Sequence, residues 1–189
     1  MKKNLFFAIL FLGILYIFSS CEQENPGPGD ENPFEPEKSW NGFIINEQEY
    51  PTPQEIIEIW GENLDSLSSD YDISFTDGTF DYMRRSITNY NVMVYFDANS
   101  PDLNKLSPGT YTIENTITRK PGNIIDAYIQ LYMDGTTLRY PILGGEVTVE
   151  EQNGHYSIIY TLKTVVDKIE TEVVGQYSGT YTIIDQTKL

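Results

Sequence analysis

The most constraining feature of this sequence is a two-residue alternation of side-chain character, repeated in short segments between turn residues. Residues 90–96 and 156–162 both place β-branched or aromatic side chains at every second position. Period two is typical of β-strands. Asp-Gly or Asn-Gly pairs at 77–78, 134–135 and 153–154 predict two-residue hairpin turns, because these residues tolerate a positive φ. Helix signals are nearly absent, so the pattern predicts an all-β fold.

The predicted fold class is an all-β, antiparallel β-sandwich of about ten short strands, with a lipocalin-like β-barrel as the alternative. Segment 53–63 has features of both a short helix and a strand, and its alternation favours a strand. Strands 89–97 and 124–133 are apolar on both faces and should be central. The predicted strands are 42–46, 54–60, 70–76, 89–97, 110–115, 124–133, 137–142, 145–151, 155–163, 168–174 and 178–184.

Glutamates at alternate positions predict the solvent face of two strands. Glu146 and Glu150 in one strand, and Glu170 and Glu172 in another, should face water. The residues expected to point inward are Val147, Val149, Ile169 and Val173.

The amino terminus has the order of a secretion signal. Lys2 and Lys3 precede an uncharged apolar run from Leu5 to Phe18, which is shorter than the roughly 20 residues of a membrane-spanning helix. Two serines and then Cys21 follow. This order resembles the bacterial lipoprotein signal with its lipobox. In that family the signal peptide is cut immediately before a cysteine, and this cysteine carries the lipid. The resemblance implies a signal peptide at 1–20 and lipid attachment at Cys21, the alternative being an ordinary secretory signal.

Residues 21–38 predict an acidic, proline-rich tether, followed by an all-β domain at 39–189. The tether holds four of the ten prolines and too few apolar side chains to fold. Its start, Cys21-Glu22-Gln23-Glu24, is similar to the acidic stretch of surface-exported lipoproteins in Bacteroidetes-type bacteria. That likeness implies an outer-membrane, lipid-anchored and surface-exposed protein, with the membrane as a partner through the lipid.

The carboxyl-terminal third carries a second resemblance. Segments 145–149, 153–158 and 174–181, together with Leu106-Ser-Pro-Gly-Thr-Tyr111, resemble the closing hairpins of small β-sandwich lipoproteins from Bacteroidetes-type bacteria. These motifs consist of glycines for turns and alternating aromatic residues for a core. The resemblance therefore implies a location and a fold, and supplies no catalytic residue.

Charge and composition exclude several functions. The chain has 28 acidic and 12 basic residues, and its formal charge of −16 would repel nucleic acid. One Cys and one His cannot form an internal disulfide, a cysteine-rich zinc site or a paired-histidine metal site. His155 should lie at a hairpin end, and no nucleophile motif accompanies it. We therefore predict a binding protein without a cofactor or metal, and not an enzyme.

Aromatic residues offer the candidate binding surface. In strand 124–133, Tyr128, Gln130 and Tyr132 share one face, where rings and an amide could bind a sugar. The alternative is that a loop or a second core layer covers this face. Trp60 should end its strand and could project a further ring, or lie in the core. The leading hypothesis is a glycan-binding accessory module of nutrient uptake; the alternatives are an adhesion or protein-interaction module and a lipocalin-like small-ligand carrier.

Overall fold

The computed structural model describes residues 40–64, 67–114 and 116–188. The predicted signal peptide, Cys21 and the tether lie outside these described residues. The elements are β1 (Gly42–Ile45), β2 (Gln48–Pro51), β3 (Gln54–Glu62), β4 (Ser69–Thr76), β5 (Thr79–Asp81), β6 (Ser86–Thr88), β7 (Val92–Ser100), β8 (Gly109–Ile113), β9 (Asn123–Met133), β10 (Thr136–Pro141), β11 (Gly144–Gln152), β12 (His155–Val166), β13 (Ile169–Gly179), β14 (Tyr181–Asp185) and a 3-10 turn at Gln186–Lys188.

Twelve strands form one curled sheet, which confirms the all-β prediction. Its order is β14-β3-β4-β7-β9-β8-β11-β12-β13-β1-β2, with β10 paired to β9, while β5 and β6 form a separate hairpin. The sheet is mixed rather than wholly antiparallel, because β14 runs parallel to β3 and β8 runs parallel to β9. The twelve strands thus form one continuous, curled hydrogen-bonded ladder, and the two-sheet sandwich stays a prediction.

The core lies between the two halves of this sheet. The Phe75 ring of β4 stacks on the rings of Tyr160 and Tyr177, with ring centroids 5.7 and 5.4 Å apart. The Phe96 ring of β7 meets the edge of Tyr160 at 5.5 Å. These contacts join strands that are distant in the sheet order, and buried aromatic area of this kind dominates core energetics.

A close approach of backbone and ring explains one difference from the predicted strands. A break was expected near Gly175, yet β13 continues through it to Gly179. A Cβ atom on Gly175 would lie 2.3 Å from the Tyr160 ring. This glycine is therefore required by packing across the core and not by a turn.

The turn predictions were confirmed at two of three positions. Asp134-Gly135 and Asn153-Gly154 both have positive φ at each residue, as type I′ turns require. Asp77-Gly78 was predicted wrongly as a hairpin turn, because neither residue has a positive φ. The Asp77 carboxylate instead accepts hydrogen bonds from the backbone N–H groups of Asn91 and Val92, at 2.8 and 3.0 Å.

In strands β11 and β13, seven of the eight side chains named from the alternation point as predicted. All four of the named glutamates are exposed, and Val147, Val149 and Val173 are buried. Ile169 was expected inward but is 68% exposed, because it directly follows the β12–β13 turn, beyond the part of the hairpin that covers the core. His155 lies exposed beside its turn, as predicted.

Candidate functional site

The outer face, defined as the side of β3, β4, β7 and β9 that points away from the core, carries a row of carboxylates. Strand register pairs Glu58 with Asp72, Asp72 with Asp97, and Asp97 with Asp126. We call these four residues the acid row. Adjacent like charges destabilise a sheet unless donors or cations satisfy them, so the partners of each carboxylate determine what this face can do.

Arg119 contacts one member of the acid row, Asp97, and the neighbouring Asp70. Its Nη1 atom lies 2.8 Å from oxygens of both Asp70 and Asp97, and its Nη2 atom donates to Asp97 at 3.2 Å. Burial and the charge of Asp97 raise the pKa of Asp70 to about 7, although Arg119 acts in the opposite direction. Arg119 therefore offsets part of the negative charge at Asp70 and Asp97.

Asp72 fixes two aromatic side chains. The indole Nε1–H of Trp60 donates to one Asp72 oxygen at 2.8 Å, and the hydroxyl of Tyr95 donates to the other at 2.6 Å. Burial raises the pKa of Asp72, while these two hydrogen bonds lower it. Burial and the adjacent Asp72 also raise the pKa of Tyr95. The Asp72 carboxylate therefore holds the Trp60 and Tyr95 side chains close to each other on the outer face.

Trp60 reaches the outer face through an irregularity in β3. The pairing of β3 with β4 shifts between Ile59 and Gly61, which leaves Trp60 as the extra residue of a bulge. Bulges of this kind re-aim a side chain. Trp60 is 52% exposed, although its indole nitrogen is hydrogen-bonded. The structure thus places Trp60 outside the core, with its ring available to a ligand.

Tyr128 lies in a stack that covers both faces of its ring. Its centroid is 4.8 Å from that of Tyr95 on β7, with an interplanar angle of 25°. The guanidinium carbon of Arg139, on β10, lies 3.6 Å from the same ring centroid. Because β9 lies between β7 and β10, the two neighbours occupy opposite faces. Tyr128 can therefore offer its edge and hydroxyl to a ligand, but not a free ring face.

A cavity of about 220 Å³ opens on this face. Its lining comes from β3, β4, β7 and β9, from the β5–β6 hairpin and from the segment between β6 and β7. The lining residues are Glu58, Trp60, Ser74, Arg85, Ser86, Ile87, Tyr90, Met93, Tyr95 and Tyr128. Aromatic rings thus surround a small set of polar groups, the arrangement typical of small-ligand sites.

The predicted site residues divide between the cavity and its surroundings. Trp60 and Tyr128 line the cavity. Gln130 supports it, because its Nε2 atom donates to the Tyr90 hydroxyl at 2.6 Å. Tyr132 is 48% exposed and is not among the lining residues. Cys21 lies outside the described residues.

Several cavity residues were missed by sequence reasoning. Glu58 and Tyr95 belong to alternating segments, and period two placed them on the correct face without showing that they meet. No sequence pattern indicated a role for Arg85, which lies between β5 and β6. These two strands have three residues each, too few for an alternation to be recognised. Strand register brings these residues together.

Two other features are weaker as sites. Asp70, Asp72 and Asp97 each offer an oxygen within 4.8 Å of the others, a spacing that could hold a cation. Arg119 already contacts two of these carboxylates, and a cation would have to displace it. A second depression, of about 260 Å³, lies beside Ile44 and Val174, and its lining includes no aromatic ring.

Comparison with known proteins gives no assignment: no family model, curated protein or solved structure matches this chain. Within residues 40–64, 67–114 and 116–188, no helix has the length and apolar character needed to cross a membrane.

Proposed function

We propose that this protein is a lipid-anchored, outer-membrane surface protein that binds glycans and receives a sugar ring in the cavity of the outer face. One observation carries the proposal: the exposed Trp60 ring is fixed by Asp72 at the edge of a cavity with polar groups. Sugars stack their apolar face on aromatic rings and give their hydroxyls to carboxylates and amides. A volume of about 220 Å³ is below the roughly 300–1,000 Å³ of drug-sized sites, and it suits a single ring.

The partners of the acid row support binding rather than catalysis. A general acid or base must reach a proton of the substrate. Each carboxylate of the row instead has a partner within the protein: Gln186 for Glu58, Trp60 and Tyr95 for Asp72, Arg119 for Asp97, and Arg139 for Asp126. Carboxylates that are already bound to partners within the protein are suited to positioning the side chains that contact a ligand.

The packed interior supports this function over a lipocalin-like carrier. The rings of Phe75, Phe96, Tyr160 and Tyr177 pack against one another between the two halves of the sheet, by stacked and edge-to-face contacts. A carrier of a small apolar ligand needs an enclosed apolar cavity in that position. An adhesion or protein-interaction module stays an alternative, and it would use exposed apolar residues rather than the cavity.

The location follows from the sequence. Lipidation at Cys21 would anchor the chain, and the acidic, proline-rich residues 22–38 would extend the domain away from an anionic membrane surface. A domain held in this way could deliver bound glycan to an uptake system, which is the accessory role that we propose.

A glycan array tests the proposal. Residues 22–189 contain every residue of the buried hydrophobic core, which extends from Phe43 to Tyr177, and are a suitable soluble protein. We expect binding to a defined glycan class, and Trp60→Ala should weaken it at least about tenfold. Ile159→Ala removes an exposed apolar side chain on β12 and is the matched control. Retention of glycan binding by Trp60→Ala would contradict the proposed site.

A further inference from the structure

One of the four arginines of this acidic protein lines the cavity. Arg84 and Arg85 belong to the β5–β6 hairpin, whereas Arg119 and Arg139 contact carboxylates of the outer face, and Arg85 is the one among the lining residues. Three have acidic partners: Asp81 for Arg84, Asp70 and Asp97 for Arg119, and Asp126 for Arg139. Across the described part of the chain, Arg85 is the arginine without an acidic partner.

The hairpin turn explains why the nearby Asp81 does not pair with Arg85. One oxygen of Asp81 accepts hydrogen bonds from the backbone N–H groups of Met83 and Arg84, at 2.9 and 3.1 Å. The other oxygen lies 3.6 Å from the Arg84 Nε atom. Asp81 is thus committed to the turn and to Arg84. Arg85 follows with a φ of 50°, and it is among the residues that line the cavity.

We propose that Arg85 binds the acidic group of an anionic sugar whose ring lies against Trp60, an inference that rests on the proposed function. The guanidinium group presents a planar fork of donors, which matches the paired oxygens of a carboxylate or a sulfate ester. An arginine without an acidic partner among the described residues gives this cavity a local site for an anion, in a chain whose formal charge is −16.

The remaining cavity groups are compatible with one bound anion. Glu58 is the carboxylate among the lining residues, and the Gln186 side chain donates a hydrogen bond to it. Burial and the nearby Asp72 raise the pKa of Glu58, which reduces its tendency to carry charge. Ser74, Ser86 and Tyr90 provide hydroxyl groups for the neutral part of the sugar. The cavity therefore combines one site for an anion with several for hydroxyl groups.

Matched pairs of probes separate charge from sugar binding. Oligogalacturonate against its methyl ester tests a carboxylate, and carrageenan against agarose oligosaccharides tests a sulfate. We expect one acidic probe to bind at least tenfold more tightly than its neutral counterpart. Added salt should weaken the binding of the acidic probe more than that of the neutral one, because salt screens charge.

Three variants of residues 22–189 assign the effect to Arg85. Arg85→Gln should abolish the preference for the acidic probe, and Arg85→Lys should retain part of it. Arg84→Gln is the control, since Arg84 adjoins Arg85 but is not among the lining residues. Equal binding of each acidic probe and its neutral counterpart, or failure of both acidic probes to bind, would overturn the inference. Glycan binding that depends on Trp60 but not on Arg85 would leave the proposed function intact.

Discussion

Substitution of Glu55 should change how the stability of this protein depends on pH. Glu55 is 1% exposed, and neither of its carboxylate oxygens has a hydrogen-bond partner among the described residues. Burial raises its pKa from 4.5 to about 8. The carboxyl group is therefore protonated in the folded protein at neutral pH, whereas the unfolded chain releases that proton.

The two pKa values give the magnitude of the effect. Between pH 4.5 and about pH 8, the folded state holds a proton that the unfolded state does not, so the free energy of unfolding falls as pH rises. Each pH unit in this window costs about 1.4 kcal/mol. At pH 7 the accumulated penalty is about 3 kcal/mol. Glu55→Gln removes this proton equilibrium and leaves a neutral side chain of similar size.

Urea unfolding at pH 5, 6, 7 and 8 tests the reasoning. The free energy of unfolding of Glu55→Gln relative to the unmodified protein should increase by about 3 kcal/mol from pH 5 to pH 8. Other titrating groups, including Asp70, are common to both proteins and cancel in the difference. Glu62→Gln, on the exposed end of the same strand, is the control for the same substitution at a solvent-exposed position. If the free energies of unfolding of Glu55→Gln and of the unmodified protein change with pH by the same amount, the assignment of a buried, protonated carboxyl group is refuted.

Two further predictions concern the anchor and the sheet. Cys21→Ala should abolish lipid attachment, and mass spectrometry that finds an unmodified Cys21 on the mature protein would contradict the lipoprotein proposal. Gly145→Ala should lower the free energy of unfolding by about 3 kcal/mol, because φ is +130° and a Cβ atom would lie 2.2 Å from the Thr161 carbonyl oxygen. Gly144→Ala is the control, with open space around its Cβ position, and equal thermal midpoints for the two variants would show the strain argument to be wrong.

Local chemistry made much of the fold predictable. Alternation identified the long strands, including β3, where the helical alternative was open. Two Asp-Gly or Asn-Gly turns had the expected backbone, because their requirement for positive φ is local. The same dipeptide pattern wrongly predicted a hairpin turn at Asp77-Gly78. There the Asp77 carboxylate accepts hydrogen bonds from backbone N–H groups 14 and 15 residues further along the chain.

Long-range pairing was not predictable from the sequence. The parallel contact of β14 with β3 joins residues that are more than 120 positions apart. The cavity depends on the same kind of information, because β3, β4, β7 and β9 must align for Trp60, Tyr95 and Tyr128 to meet. Period two identified which faces these residues share, but the register that places them in one cavity is a property of the whole sheet.

Fluorescence of Trp60 tests the central claim most directly. The chain has two tryptophans, so Trp40→Phe leaves Trp60 as the single indole reporter. A glycan identified on the array should produce a saturable change in emission, with a dissociation constant equal to that from calorimetry. Calorimetric binding without any change in Trp60 emission, or the absence of a glycan that binds, would contradict the account.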